Sequence, residues 1–152
     1  FITIHRRFNG WRSKKIIMPT SNITYVGELR TVCIHLQSGT EILTDAPTDN
    51  HGKGEAFSPT DLVATALGSC MVSIMGIKSS DLDIDLKDSK VSVTKIMQSE
   101  PRKIAKIEVI LDMPIETSDK NKTILERAAM TCPVLLSLNS DIEKEVIFNW
   151  KN

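Results

Sequence analysis

Apolar and polar residues alternate over residues 31–36, with Val32, Ile34 and Leu36 on one face and Thr31, Cys33 and His35 on the other. A period of two is the mark of a strand with one wet side. Ser38-Gly39 offers a turn, and residues 40–45 read as the returning strand of a hairpin. The run APTDNHGKGEAF over 46–57 is a loop by its Pro, Gly, Asn and Asp content. Loops of this length inside a small domain are usually functional or mobile.

Ser58-Pro59-Thr60-Asp61 combines an N-cap serine, a proline at the first helical position and an acid at the third, which predicts a helix over 59–79. From Leu62 to Ile77 that helix carries no charge, so it reads as apolar all round and buried on every side. It is too short and too rich in Gly, Ser and Thr for a membrane span, which needs about 20 mostly apolar residues. Ala64, Ala66, Gly68 and Ser69 let another backbone approach, which predicts a second helix as well as a sheet for a neighbour.

Residues 90–97 alternate again, and Ile107, Val109, Leu111 and Met113 mark a further strand, with Ser99-Glu100-Pro101-Arg102 as the hairpin loop between them. Ser118-Asp119 caps a helix whose stripe holds Ile124, Leu125, Ala128 and Ala129. That helix breaks at Cys132, because the residue before Pro133 is pushed out of the α region. Pro133 opens a short helix through Leu138, and a last strand bears Val146, Phe148 and Trp150. Strands, a helix, strands, helices and a strand make an α+β domain.

A chain of 152 residues suits one domain. Lys plus Arg and Asp plus Glu both number 19, so there is no basic excess to attract nucleic acid or an anionic membrane surface, and neither is expected as a partner. Three cysteines, at 33, 70 and 132, are odd in number and contain no CxxC pair. Neither a disulfide framework nor a zinc site follows, no cofactor or metal is expected, and a reducing, cytoplasmic setting is favoured. Residues 1–17 are basic, free of acids and followed by Met18. They read as an extension upstream of a domain spanning 18–152, with an amphipathic presequence as the alternative.

Cys70 falls in the middle of the uncharged helix, where an apolar setting raises a thiol's pKa and the helix dipole has faded. It is a small core residue unless another element brings it a cation. Cys132, just before a helix-opening proline, lies where free N–H groups favour thiolate, which on local chemistry makes it the more acidic thiol. Cys33 shares the wet face of its strand and reads as a bystander. Arg30 is in phase with Val32, Ile34 and Leu36, so it starts on the apolar face and is the candidate cation. Asp61 is explained by the capping box. Asp45, Asp49, His51 and Glu55 imitate a metal site, but scatter of this kind in a loop reads as solvated.

The run FSPTDLVATALGSCM at 57–71 resembles the first-cysteine motif of the OsmC/Ohr family, and TCPV at 131–134 resembles its second. The resemblance extends over the chain after Met18, including Ser38-Gly39 and TDAP at 44–47. It implies an intertwined homodimer, with curved antiparallel sheets wrapped around long central helices. It also implies that Cys70 attacks the O–O bond of a small organic hydroperoxide, that Cys132 forms a disulfide with it, and that a dithiol reductant, lipoyl-type or other, resets the pair. In the better-known branches an arginine from the N-terminal strands activates the nucleophile, and a glutamate directly after the motif's proline holds that arginine. Arg30 matches the first role. Thr60 occupies the glutamate's position here, which leaves Asp61 or, failing that, Glu55 as the holder.

The leading expectation is therefore a thiol peroxidase for organic hydroperoxides. A redox-inert dimeric module that binds a small apolar ligand is the alternative from another class. A hydrolytic or acyl-transferring cysteine enzyme would want a histidine near Cys70, and the candidates His35 and His51 sit in no recognisable motif.

Overall fold

The computed structural model describes residues 18–151, so the reading of residues 1–17 as an extension lies outside the described residues. Two three-stranded sheets and three helices make the α+β architecture. In the first sheet β1 (Ser21–Gly27), β2 (Arg30–His35) and β3 (Glu41–Asp45) pair antiparallel in chain order. α1 (Pro59–Ser80) follows. β4 (Lys90–Ser99) and β5 (Arg102–Met113) then form a long antiparallel hairpin. α2 (Asp119–Ala129) and α3 (Pro133–Ser137) precede β6 (Glu143–Trp150), which joins the far edge of β5 in parallel. Two helices intervene between β5 and β6, which is the crossover that parallel pairing requires. The second sheet is thus mixed rather than wholly antiparallel.

α1 starts where its sequence dictates. The Asp61 N–H donates to Ser58 Oγ at 3.1 Å and the Ser58 N–H donates to Asp61 Oδ2 at 2.8 Å, a reciprocal capping box. Its buried stripe of Ala64, Leu67, Gly68, Met71 and Met75 packs against Ile107, Val109 and Leu111 of β5 and Leu125 and Ala129 of α2. The expectation that this helix is too short and too rich in Gly, Ser and Thr for a membrane span is corrected, because its 22 residues are long and apolar enough by length and composition. What marks it as a core helix is the packing of that stripe against both a sheet and a helix.

The expectation that α1 is buried on every side is corrected within the single chain. Val63, Ala66, Ser73 and Ile77 lie on an open face, with Ile77 70 % exposed. The lack of charge on this helix reflects a face that its own chain leaves uncovered. The first sheet is similar, since Ile23 is 66 % and Tyr25 64 % exposed, and Ile34, on the expected core face of β2, is also open. The one-sided period of β2 is real, but no core of the same chain lies beneath it.

Gly68 marks the closest approach of α1 to the second sheet. A Cβ there would stand 2.6 Å from Val93 Cγ2 and 3.0 Å from Val91 Cγ1. Valines have little rotamer freedom to yield. Gly68→Ala is therefore expected to destabilise by about 1–3 kcal/mol through overpacking, despite the gain of up to ~1 kcal/mol in helix propensity. The check is a lower urea midpoint at unchanged slope. A raised midpoint would mean that α1 can lift from the sheet at little cost.

Candidate active site

α1 carries Cys70 about three turns in, half-buried against the core, while Cys132 is the N-cap residue of α3 and is fully buried. The two thiols are neighbours, and both are free. Cys132 adopts a non-helical backbone and its carbonyl accepts the Leu136 N–H at 3.1 Å, as the cap of a short helix should. Burial pushes the Cys132 thiol above its ordinary pKa and the adjacent Cys70 adds to this, outweighing the N–H groups of Leu135 and Val134, which lower it. The local argument for an acidic Cys132 is thereby corrected. The helix-cap donors are present, but desolvation disfavours the thiolate more strongly. In a Cys33→Ser, Cys70→Ser background, the ultraviolet thiolate absorbance of Cys132 should appear with a pH midpoint above the free-thiol value of about 8.5. A midpoint below it would show that the cap dominates.

A second cluster forms where β2 and β3 meet the following loop. Arg30 and Asp45 are cross-strand partners, and Arg30 Nη2 donates to Asp45 Oδ2 at 3.3 Å. The same guanidinium nitrogen pairs with Glu55, whose backbone N–H donates to Asp45 Oδ2 at 3.0 Å. That N–H, more than the arginine, holds the Asp45 carboxyl below the usual range against the opposing effect of burial. Arg30 is in turn held more firmly protonated, chiefly by Glu55. Arg30 Nε and Asp45 Oδ1 are buried with no protein partner. Asp45, Asp49 and Glu55, which in sequence imitated metal ligands, are instead engaged with arginines, Asp49 with Arg102 at 3.1 Å. Among the described residues no group of His, Cys, Asp and Glu is placed to hold a metal ion.

The third cluster sits at the N-terminus of α1. Lys95 of β4 reaches Asp61 Oδ1 at 2.7 Å, Thr60 Oγ1 at 2.8 Å and Ser58 Oγ at 3.3 Å. Partial burial raises the Asp61 pKa, but Lys95 and the Ser58 cap together bring it below its ordinary value.

Of the five residues singled out from sequence, the structure brings Cys70 to Cys132 and Arg30 to Glu55. The assignment of Asp61 as the holder of Arg30 is corrected, because Asp61 is taken up by its cap and by Lys95. Nor does Arg30 hydrogen-bond to either thiol, its partners being Asp45 and Glu55. Sequence reasoning missed Asp45 and Lys95 as structured polar residues. Lys95 is in phase with Val91, Val93 and Met97, the same sign that singled out Arg30.

A groove of about 340 Å³ opens between the first sheet and the start of α1, lined by Tyr25, Leu29, Pro47, Thr60, Met97 and Arg102 among others. It borders the Thr31 and Thr44 face of β2 and β3, opposite Arg30 and Asp45, and touches neither Cys70 nor Cys132.

Two neighbouring free thiols, Cys70 half-buried and Cys132 buried, are set on an α+β frame around a long apolar helix. The family model for OsmC-like protein matches residues 52–146, and the chain belongs to that family. A crystal structure from Psychrobacter arcticus, of a protein named for osmotic stress induction and detoxification response, is 50% identical, covers 87% of this chain and 96% of its own, and has a TM-score of 0.84. An organic hydroperoxide resistance protein OsmC from Legionella pneumophila has 14% identity, coverage of 88% and 98%, and a TM-score of 0.69. An organic hydroperoxide resistance protein from Elizabethkingia anophelis has 16% identity, coverage of 90% and 99%, and the same TM-score of 0.69. At such identities the last two speak for the fold. Comparison with curated proteins gives no match.

Proposed function

We propose that this chain is a thiol peroxidase that reduces organic hydroperoxides to alcohols. The observation that carries the reading is the pair of adjacent free thiols, one half-buried and one sealed. The Cys70 thiolate displaces alkoxide from the nearer oxygen of ROOH, forming the S–O bond as the O–O bond breaks. With one proton taken up, the products are the Cys70 sulfenic acid and ROH. The Cys132 thiol then attacks the sulfenic sulfur, releasing water and leaving a Cys70–Cys132 disulfide. A dithiol reductant returns both thiols and becomes a disulfide itself. Cys70 is the attacking thiol on this reading because it is the one a substrate can reach.

Thiolate in so apolar a setting needs a permanent cation, and Arg30 is the candidate. Its carboxylate partners hold it beside the loop that leads into α1, whereas Cys70 lies ten residues beyond Thr60, about 15 Å along the same helix. The arginine serving each Cys70 is therefore assigned to a second copy, docked on the uncharged open face of α1 in a homodimer. Three unpaired cysteines suit a reducing, cytoplasmic setting.

The test is consumption of cumene hydroperoxide with dihydrolipoate or dithiothreitol as reductant, paired with the pH profile of Cys70 alkylation in a Cys33→Ser, Cys132→Ser background. Arg30→Ala should move the alkylation midpoint upward by about one to three pH units. Arg30→Lys should restore it only in part, for want of the planar fork. An unmoved profile would mean that the activating group lies elsewhere. One observation favours a second reading, a redox-inert module for a small apolar ligand, namely that the Tyr25–Met97 groove is set apart from both thiols. No peroxide consumption with either reductant would promote it.

A further inference from the structure

The Arg30 cluster holds one more carboxylate than its charge requires. Asp45 is fully buried, sits opposite Arg30 in the β2–β3 ladder, and binds both the guanidinium and the Glu55 N–H through a single oxygen. Its place is fixed by the sheet. Glu55 has a 62 % exposed side chain and belongs to the loop that joins β3 to α1. Gly54 in that loop has a φ of +67°, and Gly52 packs so closely on Ala46 that no Cβ would fit. Two carboxylates on one guanidinium leave the trio with a net charge of minus one. Glu28 and Lys53, the other charged groups alongside Arg30, pair with each other and cancel. The buried Arg30 Nε and Asp45 Oδ1 show that the trio does not use all its hydrogen-bonding capacity.

We infer that Asp45 and Glu55 divide the task of holding Arg30, Asp45 as the fixed anchor and Glu55 as a releasable counter-ion that attenuates the arginine's charge until the loop lets go. This rests on the reading of Arg30 as the activating cation. Thr60, at the first turn of α1, has no charge to offer a guanidinium, and its hydroxyl already accepts from Lys95. Asp61 is likewise occupied. Glu55 is thus the carboxylate on Arg30 that can leave without breaking a strand or a helix cap. Both acids are positioning residues, acting on Cys70 through Arg30.

The two roles move one observable in opposite directions. In the Cys33→Ser, Cys132→Ser background, Glu55→Gln should lower the pH midpoint of Cys70 alkylation by about 0.5–1 unit, less than the roughly one to three units of a charge in direct contact because Glu55 acts on the thiolate through the arginine. Glu55→Asp should return the midpoint toward wild type. Asp45→Asn should raise it, in the direction of Arg30→Ala, because the arginine loses its anchor. A Glu55→Gln midpoint that rises or stays put overturns the inference, as does an Asp45→Asn midpoint that falls. Glu55→Gln alters an exposed side chain and leaves folding intact, so this arm remains readable if Asp45→Asn unfolds the chain. An Arg30→Ala profile that does not move would instead remove the premise, which separates the two failures.

Discussion

One equivalent of cumene hydroperoxide is expected to remove two hydrogens from the reduced wild-type chain, read by intact mass under non-reducing conditions. The thiols of Cys70 and Cys132 are neighbours, so a sulfenic acid on the first has a resolving thiol beside it. Cys132→Ser should instead gain one oxygen, and further oxygens with excess peroxide, because the sulfenic acid has no resolving thiol. Cys70→Ser should keep its mass and lose turnover down to the uncatalysed background. Cys33, on the first sheet beside Thr31, takes no part, and Cys33→Ser should match wild type. An inert wild type would sink the peroxidase reading, and a Cys70→Ser chain that still oxidises would reverse the two roles.

The second large effect concerns assembly. In sedimentation the chain should be a dimer at micromolar concentration, since α1 and the first sheet expose more large apolar side chains than a stable monomer leaves in water. Ile77, the most open large apolar side chain of α1, is the place to break it. Ile77→Glu would bury an unpaired carboxylate against the partner, which typically costs several kcal/mol. The dimer dissociation constant should rise by a hundredfold or more, at about 1.4 kcal/mol per decade. Because Arg30 is assigned to the partner, peroxide turnover should fall with the dimer fraction. An active wild-type monomer at micromolar concentration would remove the assignment of Arg30 to a second copy, and a fully dimeric Ile77→Glu would move the dimer contact off the open face of α1.

Local signals in the chain were legible and those from distant contacts were not. The start of α1 could be read because Ser58, Pro59 and Asp61 specify it within four residues. The end of α2 and the start of α3 follow from Cys132-Pro133 in the same way. β1 went unread because it has no buried face to impose a period, its residues Ser21–Val26 all being exposed. The acidity of Cys132 was misjudged because its helix-cap donors are neighbours in sequence, whereas the burial that outweighs them comes from elements far along the chain. Asp45 shows the same limit. Its sequence neighbours mark a loop entrance, and only the pairing of β2 with β3 places it opposite Arg30. Lys95 could have been found, since a lysine in phase with Val91, Val93 and Met97 calls for a buried partner.

The contact between Cys70 and Cys132 also sets how the protein should fare under a peroxide burst. On the proposed mechanism, the sulfenic acid faces two competitors, the adjacent thiol and a second molecule of peroxide. Well-oriented intramolecular partners act at effective molarities of about 10⁵ M and above, whereas an external peroxide arrives at its own dilute concentration. Cys132 is buried, which shelters it from direct oxidation, and its thiol neighbours that of Cys70. The competition is therefore decided by placement, and irreversible loss to sulfinic acid should be rare per turnover even when peroxide is abundant.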